Sequence, residues 1–497
     1  MSGLSDRVAR INDVLCAVNA LEWDTRVMMP RGGAESRGHQ IATLKGLARE
    51  MILDPALADA ADAARHGGDP LEREAAASVA EAIAYHARIP ADLLRRKAER
   101  SALAGAAWAE ARARSDFALF LPHLEAMVAL SRETAAALGG AGHPYDPMVD
   151  LFEPGETAAS LDAFFGTLRA GIRPILDVAL GRPKPRTDFL ARDYPVEGQQ
   201  RFARHVAAWL GYDFDRGRLD TAVHPFEISQ TRSDVRITSR WPRDYLPMSI
   251  FGTIHETGHA LYEQGADPVL VRSAHTTDLR GLYAVAGTSF GMHESQSRLL
   301  ENHVGRSRGF WEVHFGMLRD IFPDQLSDVS VDEFVAAVNR VEPGFIRVEA
   351  DELTYDLHIM LRVRLEVAMM EGALAPADLP AAWNEGMRAD LGLDPPDDAR
   401  GCLQDVHWSH GYMGSFPTYT IGNVTAAQIM DRLRRAAAGL DAALAAGDLE
   451  PLRARLSEAV WRKARRQPRA ALVAGLGGDA GDPRPYLEHL RSRFAAT

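Results

Sequence analysis

The chain has 497 residues, 46% hydrophobic, 25% charged and 7% aromatic, the make-up of a soluble globular protein with room for a large core or two to three smaller ones. Its 56 lysines and arginines are outnumbered by 68 aspartates and glutamates, and no basic patch carries interleaved aromatics, which argues against nucleic acid as a main partner. Two cysteines, Cys16 and Cys402, are too few for a disulfide framework, and no run approaches the roughly 18 uncharged apolar residues of a membrane helix, so a soluble cytoplasmic enzyme is the starting expectation.

The first stretch, "MSGLSDRVARINDVLCAVNALEW", scatters charges among its apolar positions, unlike a signal peptide. Between residues 40 and 140, Ala-rich segments such as "ALADAADAARH" and "EREAAASVAEAIAYHA" repeat apolar positions every three or four residues. That spacing predicts scaffold helices with one buried face. The turn-rich "GGAGHPYDPMVDLFEPGET" interrupts them before helices resume. Sheet is predicted in one place, "AVHPFEISQTRSDVRITSRW", as a small hairpin with Val235 and Ile237 on one face and Arg236 and Thr238 on the other. With no repeat and no long linker, the pattern predicts a mainly α chain, residues 1–497 forming one large domain that can carry two lobes around a groove.

Just after the hairpin stands "SIFGTIHETGHALYEQG", a buried helix by its apolar Ile254, Ala260 and Leu261. Residues four apart share a helix face with Cβ atoms about 5–6 Å apart, so His255 and His259 can offer two imidazoles to one metal. Glu256 can then take a proton from a water on the open side. Gly258 costs about 1 kcal/mol inside a helix, and a close approach of metal or substrate would explain it. Against this, H-E-x-x-H can arise by chance in a chain this rich in histidine and glutamate. A catalytic zinc needs a third ligand. Glu294 in "HESQ", 35 residues beyond His259, is placed for a His, His, Glu site, with Glu301 and His293 as rivals.

Several stretches together resemble the carboxypeptidase Taq family of thermostable metallocarboxypeptidases. They are "EWDTRVMMPRGGAESRGHQIATL", "YDPMVDLFEPG", "HPF", "DVRIT", "HETGH", "HESQSR", "IRVEADELTY", "GCLQDVHWSHG" and "FPTYTIGN", spanning nearly the whole chain in the family's order. The resemblance implies a large helical, groove-containing metallopeptidase fold and a homodimer. It also implies one divalent ion per chain, zinc or cobalt, and release of single C-terminal residues with broad specificity. Carried over residue by residue, His255, His259 and Glu294 look like metal ligands and Glu256 like the general base. Arg347, in "IRVEAD", looks like the arginine that grips the substrate's terminal carboxylate, a task suited to its planar fork. Its structural alternative is an i,i+4 ion pair with Asp351, which could also orient it. Arg236 is either a second cation near substrate or an exposed strand residue, and the hairpin could pair with extended peptide.

His407 and a nearby tyrosine suit an oxyanion opposite the metal, Tyr419 ahead of Tyr412, while Trp408 reads as packing. Two departures from the family stand out: Ser415 replaces a tyrosine, and residues 266–292 form a longer connecting segment. A loop over an active site tends to set specificity, and His275 within it is expected to be solvated. Two rivals remain: an endo-acting oligopeptidase on the same architecture, and an inactive peptide-binding protein.

Overall fold

The computed structural model describes residues 3–139 and 142–495, so Gly140 and Ala141 of the predicted turn and Met1 and Ser2 lie outside the described residues. Helices dominate, as the apolar spacing predicts, and the chain forms two compact units. The first comprises residues 1–86, 184–339 and 425–480, the second residues 87–183, 340–424 and 481–497. No helix among the described residues is long and apolar enough to cross a membrane.

In the first unit the helices Gly3–Val27, Ala34–Ile52, Pro55–Gly67 and Pro70–Arg88 bring together Leu4, Val8, Ile11, Leu15, Ile52, Leu57 and Val79. Asp54 starts the third of these by accepting from the Ala56 amide, with Pro55 fixing the first turn. Ala274, Leu279 and Ala284 of the 266–292 segment belong to the same core. The segment is therefore folded into the scaffold by short 3₁₀ turns and a two-stranded ribbon, instead of lying free as a loop. His275 is accordingly buried, 3% exposed, with Nε2 facing the Leu71 carbonyl at 3.3 Å, which corrects the expectation of a solvated histidine. Burial pushes its pKa down.

The predicted hairpin is present as β2 (Glu227–Thr231) and β3 (Asp234–Ser239), antiparallel with an irregularity at Ser229/Thr231. A third strand, β1 (Gly217–Thr221), pairs in parallel with β3 and gives the order β1-β3-β2. Both faces of β3 are covered. Val235 and Ile237 pack with Ala260 of the next helix, while Arg236 lies over Trp23 of the first helix, 4.6 Å from the ring centre. Thr238 is buried too, bonded to Phe226 through its hydroxyl and backbone.

The helix Leu246–Gly265, which carries H-E-x-x-H, is buried on nearly every side. Its Ile250, Phe251, Ile254, Leu261 and Tyr262 join Trp311, Leu318, Ile429 and Met430 in the main core. Fully burying one such side chain is worth about 1.5–3 kcal/mol, so the helix is anchored before any ligand binds. Gly258 is explained by packing, and the expected approach of metal or substrate gives way to one of backbone. A Cβ there would lie 2.5 Å from the Gln296 carbonyl oxygen and the Ser297 Cα, on the helix Phe290–Arg298. Since that helix carries Glu294, Gly258→Ala is expected to push it away, lowering stability by about 1–3 kcal/mol and weakening divalent-metal binding together. Thermal unfolding and metal titration of the same variant check both.

The second unit includes the helices Ala91–Arg114, Phe117–Leu138, Ala158–Leu180 and Tyr355–Glu371. Two carboxylates buried in its core are each held by several donors. Asp356 accepts from Thr420, Asn423 and Tyr486. Glu366 accepts from Tyr145, Trp408 and the Gly414 amide, and burial raises its pKa to about 7. Trp408 is fully enclosed and meets Trp383 edge to face, the packing role expected of it.

Candidate active site

Four residues apart on one helix, His255 and His259 present Nε2 atoms 3.3 Å from each other. Glu294 enters from the helix Phe290–Arg298, whose start is fixed by Ser289 accepting from the Met292 amide. Its Oε2 lies 3.5 Å from His255 Nε2 and 3.3 Å from His259 Nε2. Ligand atoms of these three residues all fall within 4.8 Å of one another, a spacing that suits one ion. His255 Nδ1 faces Glu301 Oε2 at 3.0 Å, so its proton belongs on Nδ1 and its lone pair on Nε2. An imidazole lone pair and a carboxylate oxygen pressed together repel unless a cation sits among them. The donor set therefore fits a divalent metal.

The two rivals for third ligand sit one layer out. Glu301, within the wider π-helical turns Leu299–Gly305, accepts from His255, Arg298 and Arg306. His293 meets His259, Nδ1 to Nδ1, at 2.6 Å. Arg298 spans Glu294 and Glu301 and so ties the two carboxylates together. Burial alone would raise the Glu294 carboxyl, but His255 and Arg298, then His259, hold it well below the usual carboxylate range. Burial drives His259 down to about 3, which keeps it neutral and able to ligate.

The Glu256 carboxyl makes no hydrogen bond to another described residue, and the residue is 6% exposed. Burial raises its pKa to about 7, partly offset by His255. A carboxyl poised there exchanges protons readily near neutral pH. Arg236 lies on β3 in the same unit, where Asp234 holds it through paired bonds of 2.8 and 2.7 Å.

A separate polar cluster occupies the second unit. Arg347 is buried, 6% exposed, in a single 3₁₀ turn. Its Nε and Nη2 both donate to Asp405 Oδ1, at 3.0 and 2.8 Å, and Nη1 donates to Tyr355 Oη at 2.9 Å. Asp351 does not orient it. That carboxylate instead caps the following turn, accepting from Leu353, Thr354 and Glu342 amides. Arg362 donates to the other oxygen of Asp405 at 2.6 Å, so two guanidiniums share one carboxylate and the buried cluster holds a surplus positive charge. Against burial, these two arginines pull Asp405 far below the usual carboxylate range. His407 Nε2 lies 3.0 Å from Tyr419 Oη, and burial lowers its pKa to about 3, so it is neutral. Tyr412, by contrast, is 41% exposed and rests edge-on against Phe152.

Sequence reasoning missed Asp405, Arg362 and the contacts that Glu301 and His293 make to His255 and His259. Asp405 stood inside "GCLQDVHW" and could have been paired with an arginine. Arg362 gave no signal, because a lone arginine in a helix reads as surface.

A mainly helical protein with an H-E-x-x-H helix and a glutamate completing a three-residue donor set is a metallopeptidase by architecture. A family model described as carboxypeptidase Taq (M32) metallopeptidase matches residues 3–494. The chain belongs to that family, and is thus a metallocarboxypeptidase that works on peptides with a divalent metal. It is 42% identical to thermostable carboxypeptidase 1 of Thermus thermophilus, over 97% of this chain and 96% of the relative. It is 35% identical to carboxypeptidase 1 of Bacillus subtilis, over 99% and 97%. The crystal structure of the family's carboxypeptidase from Deinococcus radiodurans superposes with a TM-score of 0.94 at 38% identity, covering 99% of this chain and 98% of that one.

Proposed function

We propose that the protein removes single residues from the free C-terminus of peptides, with broad specificity, through His255, His259, Glu294 and Glu256 acting with Arg347, His407 and Tyr419. His255, His259 and Glu294 would hold the ion, zinc or cobalt, one per chain, as suits two imidazoles and a carboxylate. When bound, the ion supplies a Lewis acid that polarises the scissile carbonyl and acidifies water. Glu256 accepts the proton of the attacking water and delivers it to the departing amine, the task its pKa of about 7 fits. Tyr419, steadied by His407, donates to the oxyanion. Arg347 receives the terminal carboxylate.

The observation that carries exo-cleavage is the shared Asp405. Three of the five N–H groups of Arg347 are engaged, leaving one on each terminal nitrogen. A substrate carboxylate would use that pair and balance the surplus charge. Arg236 is proposed as a second cation for the substrate, steered by Asp234. The reading includes a single catalytic domain acting on peptides with a free C-terminus, a homodimer and a cytoplasmic location, with neither nucleic acid nor membrane as partner.

The test is a peptide ladder followed by mass, with free or amidated C-termini. Stepwise loss of terminal residues from the free form, with the amide resistant, is expected. Internal cuts in both forms would instead favour the endo-acting alternative.

A further inference from the structure

Each imidazole that ligates a metal needs its other nitrogen held, and the two ligand histidines are held differently. His255 has a carboxylate, Glu301, on its Nδ1. His259 has a second histidine. His293 Nδ1 lies 2.6 Å from His259 Nδ1, with ring centres 4.7 Å apart and planes within 30°, so the rings meet nitrogen to nitrogen. Only one of those two nitrogens can carry a proton if a hydrogen bond joins them.

The far side of His293 decides which. Its Nε2 lies 2.9 Å from Glu263 Oε1 and 3.9 Å from Glu227 Oε2. Glu263 is one turn beyond His259 on the same helix, and its other contacts are all donors: the Ser229 hydroxyl and the Ala286 and Gly287 amides. It can therefore only accept from His293. Gly287 also lies against the His293 ring, where a Cβ would come 2.2 Å from Cδ2, so the loop backbone fixes the ring and the carboxylate together.

From this geometry we infer that Glu263 and His293 are positioning residues that set the tautomer of His259. Glu263 accepts a hydrogen bond from His293 Nε2–H, which leaves the His293 Nδ1 lone pair to accept from His259 Nδ1–H. His259 is then obliged to present an Nε2 lone pair toward Glu294 and His255. The opposite arrangement, a proton on His293 Nδ1, would put a proton on His259 Nε2 and block ligation. The inference rests on the reading of His255, His259 and Glu294 as the metal-holding set.

The first test is ¹⁵N NMR of the histidine rings in the metal-free wild-type protein. Protons on His259 Nδ1 and His293 Nε2 are expected, and a proton on His293 Nδ1 overturns the inference. The second is zinc affinity by chelator competition. His293→Leu should weaken binding by about 10–100-fold. His293→Gln, whose carbonyl can accept from His259 while its amide donates to Glu263, should recover most of it. A leucine variant that folds and binds zinc as tightly as wild type overturns the inference; if it fails to fold, the wild-type tautomers decide. A wild-type protein that binds no divalent ion would instead sink the metal-site reading and leave the tautomer result standing.

Discussion

Glu256→Gln is expected to bind metal as tightly as the wild type and to lose about 10²–10⁴-fold in kcat. Glutamine keeps the shape of the side chain but cannot take the proton of the attacking water. The Glu256 carboxyl makes no hydrogen bond to another described residue, so the change breaks none. The ligand atoms of His255, His259 and Glu294 are likewise untouched. Unfolding temperature and metal stoichiometry serve as controls. Turnover that survived in a folded, metal-loaded variant would remove Glu256 from the mechanism.

Arg347→Leu carries the second large effect. Two charge-assisted hydrogen bonds to a substrate carboxylate, at about 1.5–3 kcal/mol each, correspond to a loss of roughly 10²–10⁴-fold in kcat/KM on free-carboxyl peptides. The informative quantity is the ratio between free and amidated substrates. Wild type should discriminate strongly, whereas the variant should lose most of that discrimination because the fork that pairs with the terminal carboxylate is gone. Arg347→Lys keeps the charge without the fork and should fall between the two. Arg362 still neutralises Asp405 in either variant, so no carboxylate is stranded in the core. An unchanged ratio in Arg347→Leu would mean that another group recognises the chain end.

The parts of this protein legible in its sequence were those governed by local spacing. Helical periodicity predicts the scaffold, the alternation in "DVRITSR" predicts β3, and the i,i+4 histidines lie on one face as helix geometry requires. What stayed hidden depends on partners distant in sequence. β1 has no apolar alternation of its own and forms only because β3 offers it an edge. Arg347 has a carboxylate four residues away, yet it bonds Asp405, 58 residues on. Gly258 reads as a site for a ligand until the backbone at Gln296 is seen against it. The 266–292 segment, long and polar enough to pass for a loop, supplies Ala274, Leu279 and Ala284 to a core and two amides to Glu263. His293 and Glu301 illustrate the same limit. Each is suited to ligate a metal, and the fold turns each toward the outer nitrogen of a histidine instead.

The central claim is that one ion, held by His255, His259 and Glu294, is required for cleavage at the C-terminus. Titrating zinc or cobalt into chelator-stripped protein, while following release of the terminal amino acid and counting bound ions, tests it most directly. Activity should be absent without metal, rise in proportion to bound ion, and stop rising at one per chain, with Glu294→Ala failing to bind at the same concentrations. Full activity in stripped protein, or undiminished metal binding by Glu294→Ala, would contradict it.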